Sequence, residues 1–125
     1  MNSCWGEGSC MVLGDFYGLD DIATEKPVVY NGWADVYGKW IKDYSLSGFR
    51  VDTARHVDDN FFKNWSPQID AAAKSVGIDN FTIFGEVWDV NPINLMNYIR
   101  RNKIQTVLDF PFQRSAAEFA SGYSD

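Results

Sequence analysis

The 125-residue sequence has little of what would tie it to nucleic acid, a membrane or a disulfide scaffold. Its 11 Lys and Arg are outnumbered by 17 Asp and Glu, giving a formal net charge of −6, and no basic run exists that could neutralise phosphates. No apolar stretch approaches the ~20 residues of a membrane-spanning helix. Met1 to Gly14 lacks the basic start and apolar core of a secretory signal, so no targeting is read there, and residues 1–14 are expected to be irregular. Cysteine is limited to Cys4 and Cys10, whose spacing matches no metal motif. Two free thiols are the expected state, since a bridge would need an oxidising compartment.

Aromatic residues are abundant instead. At 46% hydrophobic and 16% aromatic, the chain has enough apolar material for a substantial core. Its five Trp serve by default as core, and otherwise as platforms for a neutral carbohydrate, a ligand that suits an acidic, aromatic-rich chain.

Residues 15–32 read as a loop rich in acidic and turn residues, with Asp15, Asp20 and Asp21 solvated. Trp33, Val36, Tyr37, Trp40, Ile41 and Tyr44 then recur at helical spacing, and Ser47-Gly48 ends that helix. Phe61, Phe62, Trp65, Ile69, Ala72, Ala73 and Val76 repeat the period, with Asp59 or Asn60 as N-cap, Gly77 as stop and Pro67 expected to kink or break the helix. Asn91-Pro92 opens a third helix facing Leu95, Met96 and Ile99 inward, and Arg100, Arg101 and Lys103 gather at its negative end. Thr106 to Phe110 reads as a strand, and Gln113 to Ala120 as a fourth helix with Ala116, Phe119 and Ala120 apolar. With the strands considered next, helices and strands alternate at a spacing that implies right-handed crossovers and a parallel sheet, an α/β fold.

Two stretches carry the chemistry. In Gly48-Phe49-Arg50-Val51-Asp52-Thr53-Ala54-Arg55-His56 an apolar strand ends in a carboxylate, followed by the only histidine. Strand alternation puts Arg50 and Asp52 on one face, so the guanidinium can hold Asp52 ionised. Phe81-Thr82-Ile83-Phe84-Gly85-Glu86-Val87-Trp88-Asp89 repeats the pattern one strand-plus-helix unit later. Adjacent parallel strands would present Asp52 and Glu86 at the same rim.

These two stretches resemble the second and third signature regions of the α-amylase family of glycoside hydrolases, and the resemblance covers most of the chain after about Asp15. It implies a fragment of a (β/α)8 TIM barrel, roughly strands four to six with their helices, within a partial catalytic domain spanning 15–125. It also implies that Asp52 is the nucleophile and Glu86 the proton donor of a retaining mechanism on α-glucosidic bonds, with carboxyl groups about 5 to 5.5 Å apart. Arg50 would keep Asp52 ionised. Arg55 and His56 stand where the family has Lys-His and would bond sugar hydroxyls; Arg in place of Lys keeps the charge but changes the contact. Trp88 is read either as a stacking platform or as core. Many members of the family carry Ca²⁺, for which Asp15, Asp20 and Asp21 could supply oxygens.

The family's first signature, ending in Asn-His, has no counterpart here, nor has the fourth, which supplies His-Asp and a third carboxylate. The chain is therefore expected to be inactive and poorly stable alone, unless Asp89 or Asp109 replaces that carboxylate. The alternative function is a noncatalytic, amylase-like binding or scaffold domain. Retention of Arg50, Asp52 and Glu86 together favours the enzyme.

Overall fold

Gly48 begins the edge strand that leads to Asp52, because nothing larger fits there. A Cβ on it would stand 2.6 Å from the carbonyl oxygen of Thr82 on the neighbouring strand. In the computed structural model, which describes residues 8–15 and 18–122, β1 (Gly48–Val51) runs parallel to β2 (Thr82–Gly85), and β2 runs parallel to β3 (Thr106–Val107). The sheet order is β1-β2-β3. The register pairs Gly48 with Thr82 and Val51 with Gly85, and the ladder continues past the strand ends as Glu86 N–H donates to Val51 O at 2.8 Å.

One face of this sheet is packed. Phe49 stands between the rings of Tyr37, Trp65 and Phe81, with centroids 5.3, 6.1 and 4.9 Å away. Ile83 is buried on the same side, along with Ile41, Phe62 and Ile69. Ile41 belongs to helix α2 (Pro27–Tyr44), Phe62 and Ile69 to helix α3 (Asp59–Lys74), and these helices pack on each other and supply much of the aromatic core. Burying such side chains stabilises by roughly 1.5–3 kcal/mol each. The opposite face carries Arg50, Thr82 and Thr106, all exposed.

The helices differ from the sequence expectations in ways with local causes. Pro27 supplies the first-turn residue of α2, so the helix begins inside the stretch expected to be loop up to residue 32. Its buried face is Ala34, Gly38 and Ile41 with Tyr30, Trp33 and Tyr37 beside them, whereas Val36, Trp40 and Tyr44 are exposed. Trp40 and Tyr44 stack on each other, centroids 5.1 Å apart. Ser45, not Ser47-Gly48, ends the helix, in the left-handed region with its N–H on Ile41 O. In α3 the N-cap is Asp58, whose carboxylate accepts from Asn60 N at 2.8 Å, one residue before the expected cap, and Pro67 is accommodated within an unbroken helix. Val76, expected on the apolar stripe, lies beyond the helix and is exposed.

Helix α4 (Pro92–Arg100) buries Leu95 but leaves Met96 and Ile99 exposed, and Tyr98 packs in their place. β3 stops at Val107 because Asp109 caps the next helix, α5 (Phe110–Ser121), by accepting from Phe112 N at 2.9 Å. Phe110, expected in the strand, is thereby helical, and no residue of α5 is buried, Phe119 included.

The amino-terminal segment is not wholly irregular. Cys10–Leu13 forms a turn of helix, α1, against the 3-10 turn Ala54–His56. Cys10 is disulfide-bonded, which corrects the expectation of free thiols; Cys4 lies outside the described residues. No helix among the described residues is long and apolar enough to cross a membrane.

The close approach at Gly48 makes a direct prediction. Gly48→Ala should lower the unfolding free energy by ~1–3 kcal/mol through backbone displacement between β1 and β2, read as a lower urea midpoint. An unchanged midpoint would show that the strands tolerate a Cβ there.

Candidate active site

Parallel register decides where the carboxylates fall. Val51 pairs with Gly85, so Asp52 and Glu86 leave the two strands side by side at the same end of the sheet, on the face that carries Arg50. Arg50 Nη1 donates to Asp52 Oδ1 at 2.7 Å, and its Nη2 lies 3.3 Å from Glu86 Oε2. One planar guanidinium thus spans both acids. A hydrogen bond from the Glu86 side chain first, and that from Arg50 second, hold the Asp52 carboxyl below the usual carboxylate range, against slight burial. Asp52 is 69% exposed and Glu86 23%, so the two acids occupy unlike surroundings.

A residue that the sequence did not mark completes the pair. Thr53 has φ of 44°, a left-handed conformation that is costly for a β-branched residue, and this turn aims its N–H at Glu86 Oε2, 3.3 Å away. Below it the chain packs tightly, since a Cβ on Gly85 would meet Ala54 and Ile104 at 3.1 Å. No residue type at 53 signals positive φ; only a glycine or asparagine would have.

Beside Glu86 lies a cavity of about 380 Å³ lined by Thr53, Arg55, His56, Glu86 and Trp88. Arg55, His56, Glu86 and Trp88 therefore border one space. Trp88 is 67% exposed, so its indole is not core; it rests on Phe110 with ring centroids 4.9 Å apart. His56 Nδ1 sits 3.1 Å from Met11 O. Arg55 is more committed than expected: Nη1 donates to Trp88 O at 2.6 Å and Nε to Met11 Sδ at 3.2 Å.

The acids suggested as substitutes for a third carboxylate face elsewhere. Asp109 caps α5. Asp89 accepts from Asn91 N and Asn94 Nδ2 at 2.8 and 2.9 Å, with Arg55 Nη1 at 3.9 Å. Burial pushes the Asp89 carboxyl up, but these hydrogen bonds and the Arg55 charge outweigh it and leave the carboxyl lowered.

In the loop before α2, Asp15 Oδ1 accepts from Asp21 N at 3.3 Å. Asp21 is pushed up by burial first and then by the charges of Glu25 and Asp15. Among the described residues no three His, Cys, Asp or Glu side chains converge as metal ligands. Asp15, Asp20 and Asp21 thus form no such group, with one another or with other described His, Cys, Asp or Glu side chains.

Residues 5–124 match the family model described as "Alpha amylase, catalytic domain". An α-amylase of Streptomyces lividans is 40% identical over 120 residues, covering 96% of this chain and 13% of that protein. A cyclomaltodextrinase of Thermoanaerobacter pseudethanolicus is 29% identical, covering 81% of this chain and 16% of its own length. The chain thus spans less than a fifth of each of these two relatives. Among solved structures, the α-amylase from Geobacillus thermoleovorans in complex with acarbose superposes with a TM-score of 0.75 at 30% identity, covering 86% of this chain and 23% of its own. An Anoxybacillus α-amylase gives 0.70 at 32% identity, covering 81% and 21%.

Arg50→Met should raise the Asp52 pKa, followed by ¹³C titration of its side-chain carboxyl. The sign follows from linkage: a lowered carboxyl stabilises the fold above the unfolded value of ~3.9, and that contribution is lost as pH falls through the folded value. With Arg50 removed, this acid-side loss shrinks. An unmoved Asp52 midpoint would show that the guanidinium does not hold the charge.

Proposed function

The chain belongs to the α-amylase family of glycoside hydrolases, and on that premise we propose that it carries the nucleophile and the proton donor of a retaining enzyme that cleaves or transfers α-glucosidic bonds in starch-like glucans. Its three parallel strands and their helices are part of the family's (β/α)8 barrel. Catalytic groups in such barrels come from the carboxyl ends of strands, where Asp52 and Glu86 stand.

The observation that carries the proposal is the single Arg50 guanidinium touching both carboxylates, with Asp52 acidified between Glu86 and Arg50. An Asp52 oxygen attacks the anomeric carbon, and the bond to the departing sugar oxygen breaks as Glu86 gives that oxygen its proton. The glycosyl group is then bound to Asp52. Glu86, now the base, takes a proton from water or from a sugar hydroxyl, whose oxygen attacks the anomeric carbon and frees Asp52. Arg55, His56 and Trp88 hold the sugar beyond the cleaved bond, Trp88 through the face of its exposed indole.

In the protein that carries this chain within a complete barrel, Asp52→Asn should reduce release of reducing sugar from maltooligosaccharides by at least ~10³-fold while leaving the thermal midpoint near the parent's. Near-normal turnover would refute the nucleophile assignment. A parent that binds maltooligosaccharides without turning them over would instead favour a binding or scaffold domain.

Residues 1 to 125 expressed alone should be poorly stable and nearly inactive. β1 and β3 are the edges of the sheet, and its uncovered face exposes Arg50, Thr82 and Thr106. Denaturant unfolding, size-exclusion chromatography and a reducing-sugar assay decide this. A cooperative monomer with sustained turnover would overturn it.

A further inference from the structure

Trp88 borders the cavity with an exposed side chain, yet its backbone is fixed from two sides. Val87, immediately before it, is fully buried in the core. On the other side Arg55 grips the Trp88 carbonyl at 2.6 Å, and Arg55 is itself faced by Asp89. Asp89 is anchored to the start of α4 by Asn91 N and Asn94 Nδ2, while the Asn91 side chain caps the helix by accepting from Ile93 N at 2.9 Å. The side chain of Asp89 is only 14% exposed. A carboxylate so placed is costly unless hydrogen bonds and a cation satisfy it, and here both do.

Arg55 is the wall between two spaces. On one side is the cavity with Glu86 and Trp88; on the other is a polar cavity of about 420 Å³ that Asp89, Asn94 and Tyr98 line. The hydrogen bonds of Asp89 run away from Glu86 and toward α4, so it does no chemistry in the first cavity.

We propose that Asp89 is a positioning residue: acting through Arg55, it sets where the Trp88 indole stands relative to Glu86 and so governs binding of the sugar on the departing side. The inference rests on the glucan-active reading above. Removing the Asp89 charge frees Arg55 to swing toward the first cavity and lets the Trp88 backbone move, while the sheet that carries Asp52 and Glu86 is untouched.

The test uses the enzyme that carries this chain in a complete barrel. Asp89→Asn keeps the shape and the acceptor for Asn91 N but removes the charge facing Arg55. With maltoheptaose as substrate, its KM should rise about fivefold, the value of a weakened aromatic contact, with kcat within about twofold of the parent. Arg55→Met should raise KM likewise, and the double variant should be no worse than Arg55→Met alone, because both act through one path. Independent effects that multiply would overturn the proposal, as would a fall in thermal midpoint with KM unchanged. A readout free of activity separates this from failure of the glucan reading. The Trp88 indole N–H resonance, assigned by its loss in Trp88→Phe, should move in Asp89→Asn without ligand, and in Asn94→Ala to a smaller extent. An unmoved resonance in Asp89→Asn refutes the positioning role whatever the substrate.

Discussion

A guanidinium that holds two carboxylates at once can do so only if the strands beneath it keep register. Arg50 reaches Asp52 along its own strand and Glu86 across to the next, and a slip of one residue between β1 and β2 would turn Glu86 to the packed face. Register in turn depends on the opposite face, where Phe49 is locked among Tyr37, Trp65 and Phe81. The aromatic core and the charged site are therefore two sides of one constraint. Gly48 contributes by letting the strands approach closely enough for the ladder to run on to Glu86 N–H.

The parts legible in the sequence were those with a short period. Alternation in Phe49-Arg50-Val51-Asp52 placed the aromatic and charged faces correctly, and the same pattern before Glu86 placed the second acid beside the first. Helical stripes identified α2 and α3 and placed Trp33, Tyr37 and Ile41 of α2 correctly, but took Val36, Trp40 and Tyr44 for covered, because the stripe followed large residues while the packed face also uses Ala34 and Gly38, where α3 comes close: a Cβ on Gly38 would meet Ala72 at 3.4 Å. Boundaries failed where one capping side chain decided them, as with Asp58 and Asp109. Composition favours no particular cap when several acids stand in a row.

Long-range pairings left no trace in the pattern. Nothing in Arg55 announces that it will seek Met11 and the Trp88 carbonyl, residues 44 and 33 positions away. Nor does Thr53 announce a left-handed turn. Its strain is held by what surrounds it, with Ala54 buried against Gly85 below and Glu86 accepting its N–H above. The amino-terminal segment was misread for the same reason, since α1 lies against the 3-10 turn, distant in the chain.

The site thus has two kinds of support with different physics. The carboxylates stand on the sheet, where hydrogen-bonded register and apolar burial act together and any displacement must break several contacts at once. The cavity wall stands on loops: Arg55 is held to the Trp88 carbonyl by a charge-assisted hydrogen bond, worth roughly 1.5–3 kcal/mol, and to the Asp89 carboxylate by an ion pair at 3.9 Å, each dependent on a single partner. In the proposed reading, the chemistry stands on the first kind of support and the contacts that select a ligand on the second. A substitution in the loops can therefore change what is bound while the distance between Asp52 and Glu86 stays as the strands set it.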